Sequence, residues 1–442
     1  MTEFARRRAS FASRIGDAVA VFPAAPEAIR SNDTRYAYRQ DTDLYYLSGF
    51  EEPESVLVIA PKHPATKSVM FVRERDADRE TWDGRRAGTE GAVRDFGVDA
   101  AYPIGEIDRR LPELLDTADT LYYAFDRDNA FNQRIVELLK RYHVSRRRAD
   151  EGPAAVADPS AILHEMRVIK SAADIEGMRR AVGISREGHI AAMRYSRPGM
   201  HEYEIAAIAE YIFTSRGATS VAYSTIVGSG VNGTILHYNA NRKRIRDDDL
   251  VLIDAGAEVG YYCGDITRTW PISGKFRPEQ RAIYEIVLAA QLRCIQLCKP
   301  GVTFNTDVND AAVRVIAEGL ADVGLLTGSV DELIAGGAYK RFYMHRIGHF
   351  LGMDTHDVGC YRESGEWRAL RPGMVVTIEP GIYIPDAPDI DHRFRGIAVR
   401  IEDNLLITDS GSENLSDGTP KSIDDIERTI AQGRESKVPL LA

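Results

Sequence analysis

Residues 250–270 read LVLIDAGAEVGYYCGDITRTW, and this stretch decides the fold of the second half of the chain. The apolar run at its start predicts a buried strand that ends at Asp254, and the β-branched and aromatic residues after Gly260 predict a second strand. Glycine favours a two-residue turn between them, which we place at Val259 and Gly260. In that register Asp254 lies directly opposite Asp265, with Cβ atoms about 4.5–5.5 Å apart. The stretch therefore predicts a hairpin with two carboxylates on one face.

Two like charges at this spacing destabilise a sheet unless something neutralises them. Either one carboxyl group holds a proton and has a raised pKa, or a cation lies between the two groups. Taken alone, the pair is equally compatible with two aspartates that face solvent. Whether Asp254 and Asp265 form a site therefore depends on the rest of the sequence.

Two more acidic residues interrupt or end apolar strands. Glu379 follows the run VVTI at 375–378 and precedes Pro380, and Glu402 continues the run IAVRI at 397–401. Acidic residues in such positions are rarely buried unless they are paired or bound to a metal ion. With the two aspartates, they favour a cation site over a solvated surface.

Three of the ten histidines, His345, His349 and His356, lie close together in the sequence. The spacing of the first two superficially resembles the zinc-binding pattern H-E-x-x-H, but Arg346 takes the place of the glutamate and Gly348 weakens a helix there. We therefore reject a zinc-protease helix. Histidines near strand-end acids indicate metal ligation and proton transfer instead.

The run GSGVNG at 228–233 fits the dinucleotide-binding pattern G-x-G-x-x-G. That site also needs its last glycine to open a helix whose N-terminus holds the pyrophosphate. The residues that follow, TILHYN at 234–239, are poor helix formers. We interpret the run as a turn that glycine permits, and we reject NAD as a cofactor.

Composition excludes several classes of protein. Among 442 residues, 66 acidic residues outnumber 56 basic ones, whereas a nucleic-acid-binding protein normally carries a basic domain or stripe. No stretch approaches the ~18 consecutive apolar residues of a membrane span, and the basic residues near the N-terminus have no apolar run behind them. We therefore expect a cytoplasmic protein with neither a nucleic-acid nor a membrane partner.

The four cysteines contain no C-x-x-C pair, which argues against a zinc knuckle or a disulfide framework. Cys294 and Cys298 fall in a helical stretch. We expect both to be buried, unreactive thiols.

The chain is long enough for two domains, and its pattern changes after residue 150. Residues 1–165 alternate helical and strand-like segments, which predicts a smaller mixed α/β domain. Within it, proline at 112 would clash inside a helix, so we expect that helix to open near Leu111. Residues 149–159 have the composition of a connector.

A second domain is predicted over residues 171–442. Ser171 and Asp174 have the spacing of a capping box, so a helix should begin there. Beyond it, the chain twice runs through long helices followed by strands. The fold class is therefore α/β (α+β), with two α-then-β halves that suggest pseudo-two-fold symmetry.

The order and surroundings of these acids and histidines resemble the "pita-bread" metallopeptidases, a group that includes methionine aminopeptidase, prolidase and aminopeptidase P. Two N-terminal stretches further resemble the N-terminal domain of bacterial aminopeptidase P, which methionine aminopeptidase lacks. The motifs that carry the resemblance are IDAG at 253–256, GDITRT at 264–269, GHFLG at 348–352, THDVG at 355–359, TIEPG at 377–381, YRQDTDLYYLSGF at 38–50 and ETWDGRR at 80–86.

The resemblance implies a pita-bread C-terminal domain with five metal ligands. Asp254 would chelate one ion, His349 and Glu379 would complete the other site, and Asp265 and Glu402 would bridge the two. It also implies two Mn²⁺ ions, and ligands rich in oxygen suit Mn²⁺ or Mg²⁺, with Co²⁺ or Zn²⁺ as further possibilities. Two such ions can generate hydroxide near neutral pH and polarise the scissile carbonyl.

The resemblance assigns four further residues to catalysis. His237 and His356 would contact the substrate and stabilise or protonate the intermediate, whereas His345 and Arg400 would shape the pocket for proline and for the chain beyond it. Arg400 lies two positions before Glu402 and so on the same strand face. The alternative for Arg400 is a plain counter-ion to the acids.

The implied activity is hydrolysis of the bond between an N-terminal residue and a following proline in a peptide. Prolidase, which cleaves Xaa-Pro dipeptides only, is the alternative within the family. A catalytically idle peptide-binding protein is the alternative of another class, which the intact ligands disfavour, as they do a metal-free relative such as creatinase. The resemblance also implies a homodimer or homotetramer, in which Trp82 could reach a neighbour's site.

Overall fold

The chain divides into two units, Met1–Met166 and Arg167–Ala442. The computed structural model of the protein describes residues 2–149 and 151–435. Among the described residues, every helix is too short or too polar to span a lipid bilayer.

One mixed six-stranded sheet forms the centre of the first unit. The strands of this unit are Val19–Pro23 (β1), Ile29–Ser31 (β2), Thr34–Arg35 (β3), Val56–Ile59 (β4), Ser68–Val72 (β5), Ala100–Pro103 (β6), Thr120–Tyr122 (β7) and Ala155–Ala157 (β8). The sheet order is β6-β5-β4-β1-β7-β8, in which β4 is antiparallel to both neighbours and the other pairs are parallel. The predicted mixed α/β character is confirmed.

The helices that begin in this unit lie before, between and after these strands in the chain. They are Glu3–Ile15 (α1), Thr42–Ser48 (α2), Ala77–Asp83 (α3), Gly88–Phe96 (α4), Ile107–Leu115 (α5), Asn129–Ala149 (α6) and Ser160–Val168 (α7). Two expectations were wrong here. The connector predicted at 149–159 contains β8, because its short apolar run pairs with β7. The helix predicted to open near Leu111 begins at Ile107, with Pro112 in its interior.

Tertiary packing explains why α5 tolerates its proline. The side chains of Ile107, Leu111, Leu114 and Leu115 are buried on one face of the helix, against the hydrophobic core of the unit. Proline costs ~3 kcal/mol in a helix interior, which is comparable with the burial of one or two such side chains.

The second unit contains two successive groups of helices and strands, as predicted. Its helices are Ala172–Tyr195 (α8), Glu202–Ser215 (α9), Pro278–Leu297 (α10), Asn309–Asp322 (α11), Val330–Ala335 (α12) and Ile423–Glu435 (α13). Its strands are Ser220–Val221 (β9), Ile226–Ser229 (β10), Leu250–Ala255 (β11), Ala257–Val259 (β12), Tyr262–Cys263 (β13), Ile266–Pro271 (β14), Arg362–Glu363 (β15), Glu366–Trp367 (β16), Val375–Ile378 (β17), Gly381–Tyr383 (β18), Ala398–Arg400 (β19), Asp403–Ile407 (β20) and Ser412–Asn414 (β21). The α/β fold class is confirmed.

Local signals account for several of these elements. The Ser171–Asp174 capping box is present at the start of α8, as predicted. The G-x-G-x-x-G run ends in the short 3-10 turn Gly230–Thr234 rather than an α-helix, which agrees with the rejection of a dinucleotide site. Cys294 and Cys298 are buried, as expected, and burial raises the pKa of the Cys294 thiol to about 12 and that of Cys298 as well, which disfavours the reactive thiolate.

The hairpin register differs from the predicted one. Val259 pairs with Tyr262, so Gly260 and Tyr261 form the turn instead of Val259 and Gly260. Both turn residues have positive φ, 54° and 71°, which is the geometry of a type I′ turn. Asp254 consequently pairs with Thr267, and the prediction that it lies directly opposite Asp265 was wrong.

A buried ion pair joins the two groups of strands in this unit. Arg268 in β14 donates from Nη2 to Oδ1 of Asp403 in β20 at 2.6 Å, and both side chains are fully buried. Lys421 Nζ and Gln291 Nε2 donate to the other carboxylate oxygen at 2.6 and 2.8 Å. Burial opposes the charge on Asp403, but Arg268 and Lys421 outweigh it and lower the pKa of the carboxyl group.

Asp403→Asn should lower the free energy of unfolding by about 3–5 kcal/mol, because it leaves buried Arg268 without its counter-ion. Glu285→Gln is a matched control, since it breaks the exposed Arg281–Glu285 pair of 2.9 Å and should cost about 0.5 kcal/mol or less. Urea denaturation followed by circular dichroism measures both. Equal shifts for the two variants would show that the Arg268–Asp403 pair does not stabilise the unit.

Candidate metal centre

One cavity of about 490 Å³ in the second unit brings together every residue that the sequence predicted for the site. These residues are Asp254, Asp265, His349, Glu379, Glu402, His237, His345, His356 and Arg400. The acids come from the strands: one lies in β11, one precedes β14, one follows β17 and one precedes β20. The histidines come from the loops between strands and helices.

A tyrosine joins the two aspartates of the hairpin. The hydroxyl of Tyr223 lies 2.6 Å from Oδ1 of Asp254 and 2.6 Å from Oδ1 of Asp265. Burial and the two negative charges raise the pKa of Tyr223 well above its usual value, so the phenol keeps its proton. One proton can satisfy only one of the two carboxylates, so the other needs a proton of its own or a cation.

His349 presents one ring nitrogen to the acids. Its Nδ1–H donates to the carbonyl of Phe350 at 2.9 Å, which leaves Nε2 facing Asp265 at 3.4 Å and Glu379 at 3.5 Å. A backbone hydrogen bond of this kind orients a metal-binding imidazole. Burial opposes a charge on His349, but the hydrogen bond to Asp265 and the charge of Glu379 outweigh it and raise the pKa to about 9.

The remaining acids are also perturbed. Glu402 is only 2% exposed and accepts a hydrogen bond from Thr267 Oγ1 at 2.7 Å. Burial and the neighbouring acids raise the pKa of Glu402 well above its usual value, and burial raises that of Glu379 to about 7. Burial raises the pKa of Asp265 as well. Burial is the largest cause of all three shifts, and the neighbouring acids add to it.

The donor set fits divalent cations. One ligand atom each from Asp265, His349 and Glu402 lies within 4.8 Å of the others. Carboxylate oxygens with a single imidazole and no thiolate suit Mn²⁺ or Mg²⁺, and a cation would relieve the repulsion that raises the carboxyl pKa values.

Arg400 neutralises one acid and forms part of the cavity wall. Its Nη2 donates to Oδ2 of Asp254 at 2.6 Å, its Nε to Thr267 Oγ1 at 3.1 Å and its Nη1 to the Tyr383 hydroxyl at 3.0 Å. The side chain is almost fully buried. Arg400 is therefore a counter-ion of Asp254, as the alternative expected, and it also lines the pocket.

The other three histidines line the cavity outside the predicted ligand set, and Nδ1 of His345 lies 3.9 Å from Oε2 of Glu379. His345 Nδ1 donates to the carbonyl of Arg346, and Nε2 accepts from the Tyr383 hydroxyl, each at 2.8 Å. Burial and the charge of Arg400 lower the pKa of His345 to about 4, so it is neutral at pH 7. His356 packs edge-on against His349 with ring centroids 4.4 Å apart, and burial and the charge of His349 lower its pKa. His237 is exposed at the cavity wall.

Sequence reasoning missed three residues that organise the site, namely Tyr223, Thr267 and Tyr383. Thr267 had a signal, since it lies two positions after Asp265 and so on the same strand face. Tyr223 is 31 residues from Asp254 in the chain, and no local pattern links the two. Tyr383, which bridges Arg400 and His345, likewise depends on tertiary structure.

Known proteins resemble this chain over most of its length. The sequence model of metallopeptidase family M24 matches residues 176–409, and that of the aminopeptidase P N-terminal domain matches residues 4–122. Xaa-Pro aminopeptidase of Escherichia coli K12 is 43% identical over 437 residues, which cover 98% of each chain. Human Xaa-Pro aminopeptidase 3 is 36% identical over 92% of this chain and 80% of its own length.

Solved structures are equally similar. Aminopeptidase PepP of Pseudomonas aeruginosa has a TM-score of 0.95 and 46% identity, with 98% of each chain covered. Zinc-substituted E. coli aminopeptidase P in complex with product has a TM-score of 0.94 and 42% identity, over 98% of this chain and 99% of that one. The predicted resemblance and the pita-bread fold are confirmed, and the chain belongs to metallopeptidase family M24.

Proposed function

We propose that this metallo-aminopeptidase uses two metal ions to remove the N-terminal residue from peptides whose second residue is proline. The observation that carries the proposal is the convergence of four buried or half-buried carboxylates and one oriented imidazole in a single cavity. The full-length match to Xaa-Pro aminopeptidases supports the substrate class. The same match does not favour prolidase.

The five predicted ligands would hold the ions. Asp254 would contribute to one site, His349 and Glu379 would contribute to the other, and Asp265 and Glu402 would contribute to both. When bound, such a pair acts as a Lewis acid that lowers the pKa of water and polarises the scissile carbonyl. Mn²⁺ is the metal that we propose, with Mg²⁺, Co²⁺ and Zn²⁺ as alternatives.

The protein's own residues would bind and orient the substrate around this centre. His237 and His356 line the cavity and would donate to oxygen that gains negative charge, or protonate the leaving proline nitrogen. Neutral His345 presents a ring that Tyr383 fixes, which suits packing against proline. Arg400 is locked by Asp254 and Tyr383, so it supplies a rigid wall.

The assembly and the compartment are further parts of the proposal. We assign residues 1–165 to an aminopeptidase P-type N-terminal domain and residues 171–442 to the catalytic domain. Trp82 in α3 is 86% exposed, which supports a contact with a second copy of the chain in a homodimer or homotetramer. The cytoplasm is the compartment that we propose.

Cleavage assays test the function directly. Peptides of the form Xaa-Pro-Yaa-Zaa are compared with Xaa-Pro dipeptides, with and without Mn²⁺. We expect release of the first residue from the longer peptides, dependent on added metal. Cleavage of the dipeptides alone would establish prolidase, and turnover of neither, with metal bound, would establish an idle binding protein.

Asp265→Asn should abolish turnover, because a neutral amide cannot bridge two cations as a carboxylate does. Asp247→Asn, which changes an exposed aspartate outside the cavity, is the matched control and should keep full activity. Steady-state kinetics with Mn²⁺ measures both. If Asp265→Asn kept more than about a tenth of wild-type kcat, the bridging role would be wrong, since one decade is only ~1.4 kcal/mol of barrier.

His356→Ala should lower kcat by roughly 10²–10⁴ and leave the metal content unchanged, as expected for loss of a proton-transfer or oxyanion partner. His392→Ala removes a histidine whose side chain is 84% exposed, and it should change neither quantity. Elemental analysis of the purified variants accompanies the kinetics. Loss of one ion from His356→Ala would make His356 a ligand and contradict the assignment.

Metal removal should lower the melting temperature by several degrees at pH 8 and by less near pH 5. Burial raises the pKa of Glu379 from 4.5 to about 7, so the metal-free fold loses stability as pH rises through this interval. The pKa of His349 is raised from 6.5 to about 9, and its contribution is lost as pH rises from 6.5 to 9, in the same direction. Bound metal offsets this loss by about 2.7 kcal/mol at a hundredfold excess over Kd.

Melting curves with Mn²⁺ and with a chelator, recorded from pH 5 to pH 8, measure the difference in melting temperature between the metal-loaded and the metal-free protein. It narrows toward pH 5 because protons relieve the repulsion in the metal-free protein and compete with metal in the loaded one. Coincident curves at pH 8, with metal loading verified, would show that the acids do not form one metal site.

A further inference from the structure

Arg346 is a second arginine on the wall of the cavity, and its electrostatic surroundings differ from those of Arg400. Arg400 is paired with Asp254 at 2.6 Å. Within residues 2–149 and 151–435, no carboxylate forms an ion pair with Arg346, and its side chain is exposed. The cavity is therefore lined by one arginine that Asp254 neutralises and by one that has no carboxylate partner among the described residues.

The guanidinium of Arg346 is nevertheless held in place. Its Nη1 donates to Oδ1 of buried Asn305 at 3.0 Å. Its Cζ lies 5.0 Å from the centroid of the Trp367 ring, and Cζ of Arg362 lies 3.9 Å from the same centroid. Asn305 uses one of five N–H donors, so the remaining donors are positioned without a strong partner. A cation that is fixed before binding loses less side-chain entropy when a ligand arrives.

Its place in the chain puts Arg346 beside the reaction centre. It directly follows His345, whose Nδ1 donates to the Arg346 carbonyl at 2.8 Å, and it precedes His349 by three residues in the same loop. The cavity that it lines also contains Glu379. A peptide whose first peptide bond lies at the acids must extend its later residues along the cavity wall.

We propose that Arg346 binds a carboxylate on the substrate beyond the proline, and so makes the enzyme prefer short or acidic peptides. A guanidinium fork matches a carboxylate with two parallel hydrogen bonds. The carboxylate is either the C-terminus of a tripeptide or an acidic side chain at the third position. Arg346 is then a specificity-determining residue, and this inference rests on the proposed Xaa-Pro activity.

The test compares kcat/KM for the tripeptide Ala-Pro-Leu with that for its C-terminal amide. We expect the metal-loaded wild type to prefer the free acid by about tenfold or more, mainly through a lower KM, as for a charge-assisted hydrogen bond. Arg346→Gln should reduce the acid:amide ratio to near one, and Arg346→Lys should restore part of it. Arg362→Gln is the matched control. Arg362 also packs on the Trp367 ring but does not line the cavity, so its loss should leave the wild-type acid:amide ratio unchanged.

A second arm distinguishes the two sources of the carboxylate. Ala-Pro-Glu-amide and Ala-Pro-Gln-amide differ only in the side chain, so a preference for glutamate that Arg346→Gln removes would assign the site to acidic side chains. A preference confined to the free tripeptide acid would assign it to the C-terminus. An acid:amide ratio and a Glu:Gln ratio that are both the same in wild type and Arg346→Gln would overturn the proposal.

A binding measurement tests the role of Arg346 independently of the proposed peptidase activity. Calorimetry measures the Kd of the dipeptide Pro-Leu and of its amide for the metal-loaded protein, without turnover. Weaker binding of Pro-Leu to Arg346→Gln, with a much smaller change for the amide, supports the role of Arg346 even if no Xaa-Pro peptide is cleaved. Equal weakening of both ligands, together with a Glu:Gln ratio that Arg346→Gln leaves unchanged, would contradict it.

Discussion

Repulsion among the carboxylates that line one cavity is the constraint on which the catalytic unit depends. Burial, with mutual charge as a further cause, raises the pKa values of Asp265, Glu379 and Glu402 together, because the fold gathers these acids in one buried cavity. Strand packing holds them there, because each acid is attached to an apolar strand whose burial outweighs the repulsion. The same crowding of negative charge favours a cation at this centre.

Two buried arginines near the acids offset part of this negative charge and hold the strands in place. Arg400 neutralises Asp254 from one side, and the Arg268–Asp403 pair fixes the strands behind the cavity. Arg268 also donates from Nη1 to the carbonyl of Glu402 at 2.6 Å, so the structural ion pair and the candidate ligand are directly connected. Stability and site geometry therefore depend on the same set of buried polar contacts.

Much of this arrangement was predictable from local pattern. Apolar runs that end in acids identified Asp254 and Glu379 as candidates, and the family resemblance supplied their expected roles. The hairpin register was not predictable, because Tyr261 adopts positive φ in the turn, which is uncommon for a bulky residue. Local pattern also could not predict the contact of Tyr223 with Asp254, which lies 31 residues away in the chain. Nor could it predict that Pro112 lies inside a helix, because packing of that helix against the core depends on the folded unit.

The central claim is that these residues hold two metal ions at one centre. Crystals grown with Mn²⁺ and measured on both sides of the manganese absorption edge test it most directly, since the anomalous difference map locates each ion. We predict two peaks per chain, about 3.5–4 Å apart, each within ligand distance of Asp265 and Glu402. A single peak, or peaks remote from these two carboxylates, would contradict the account.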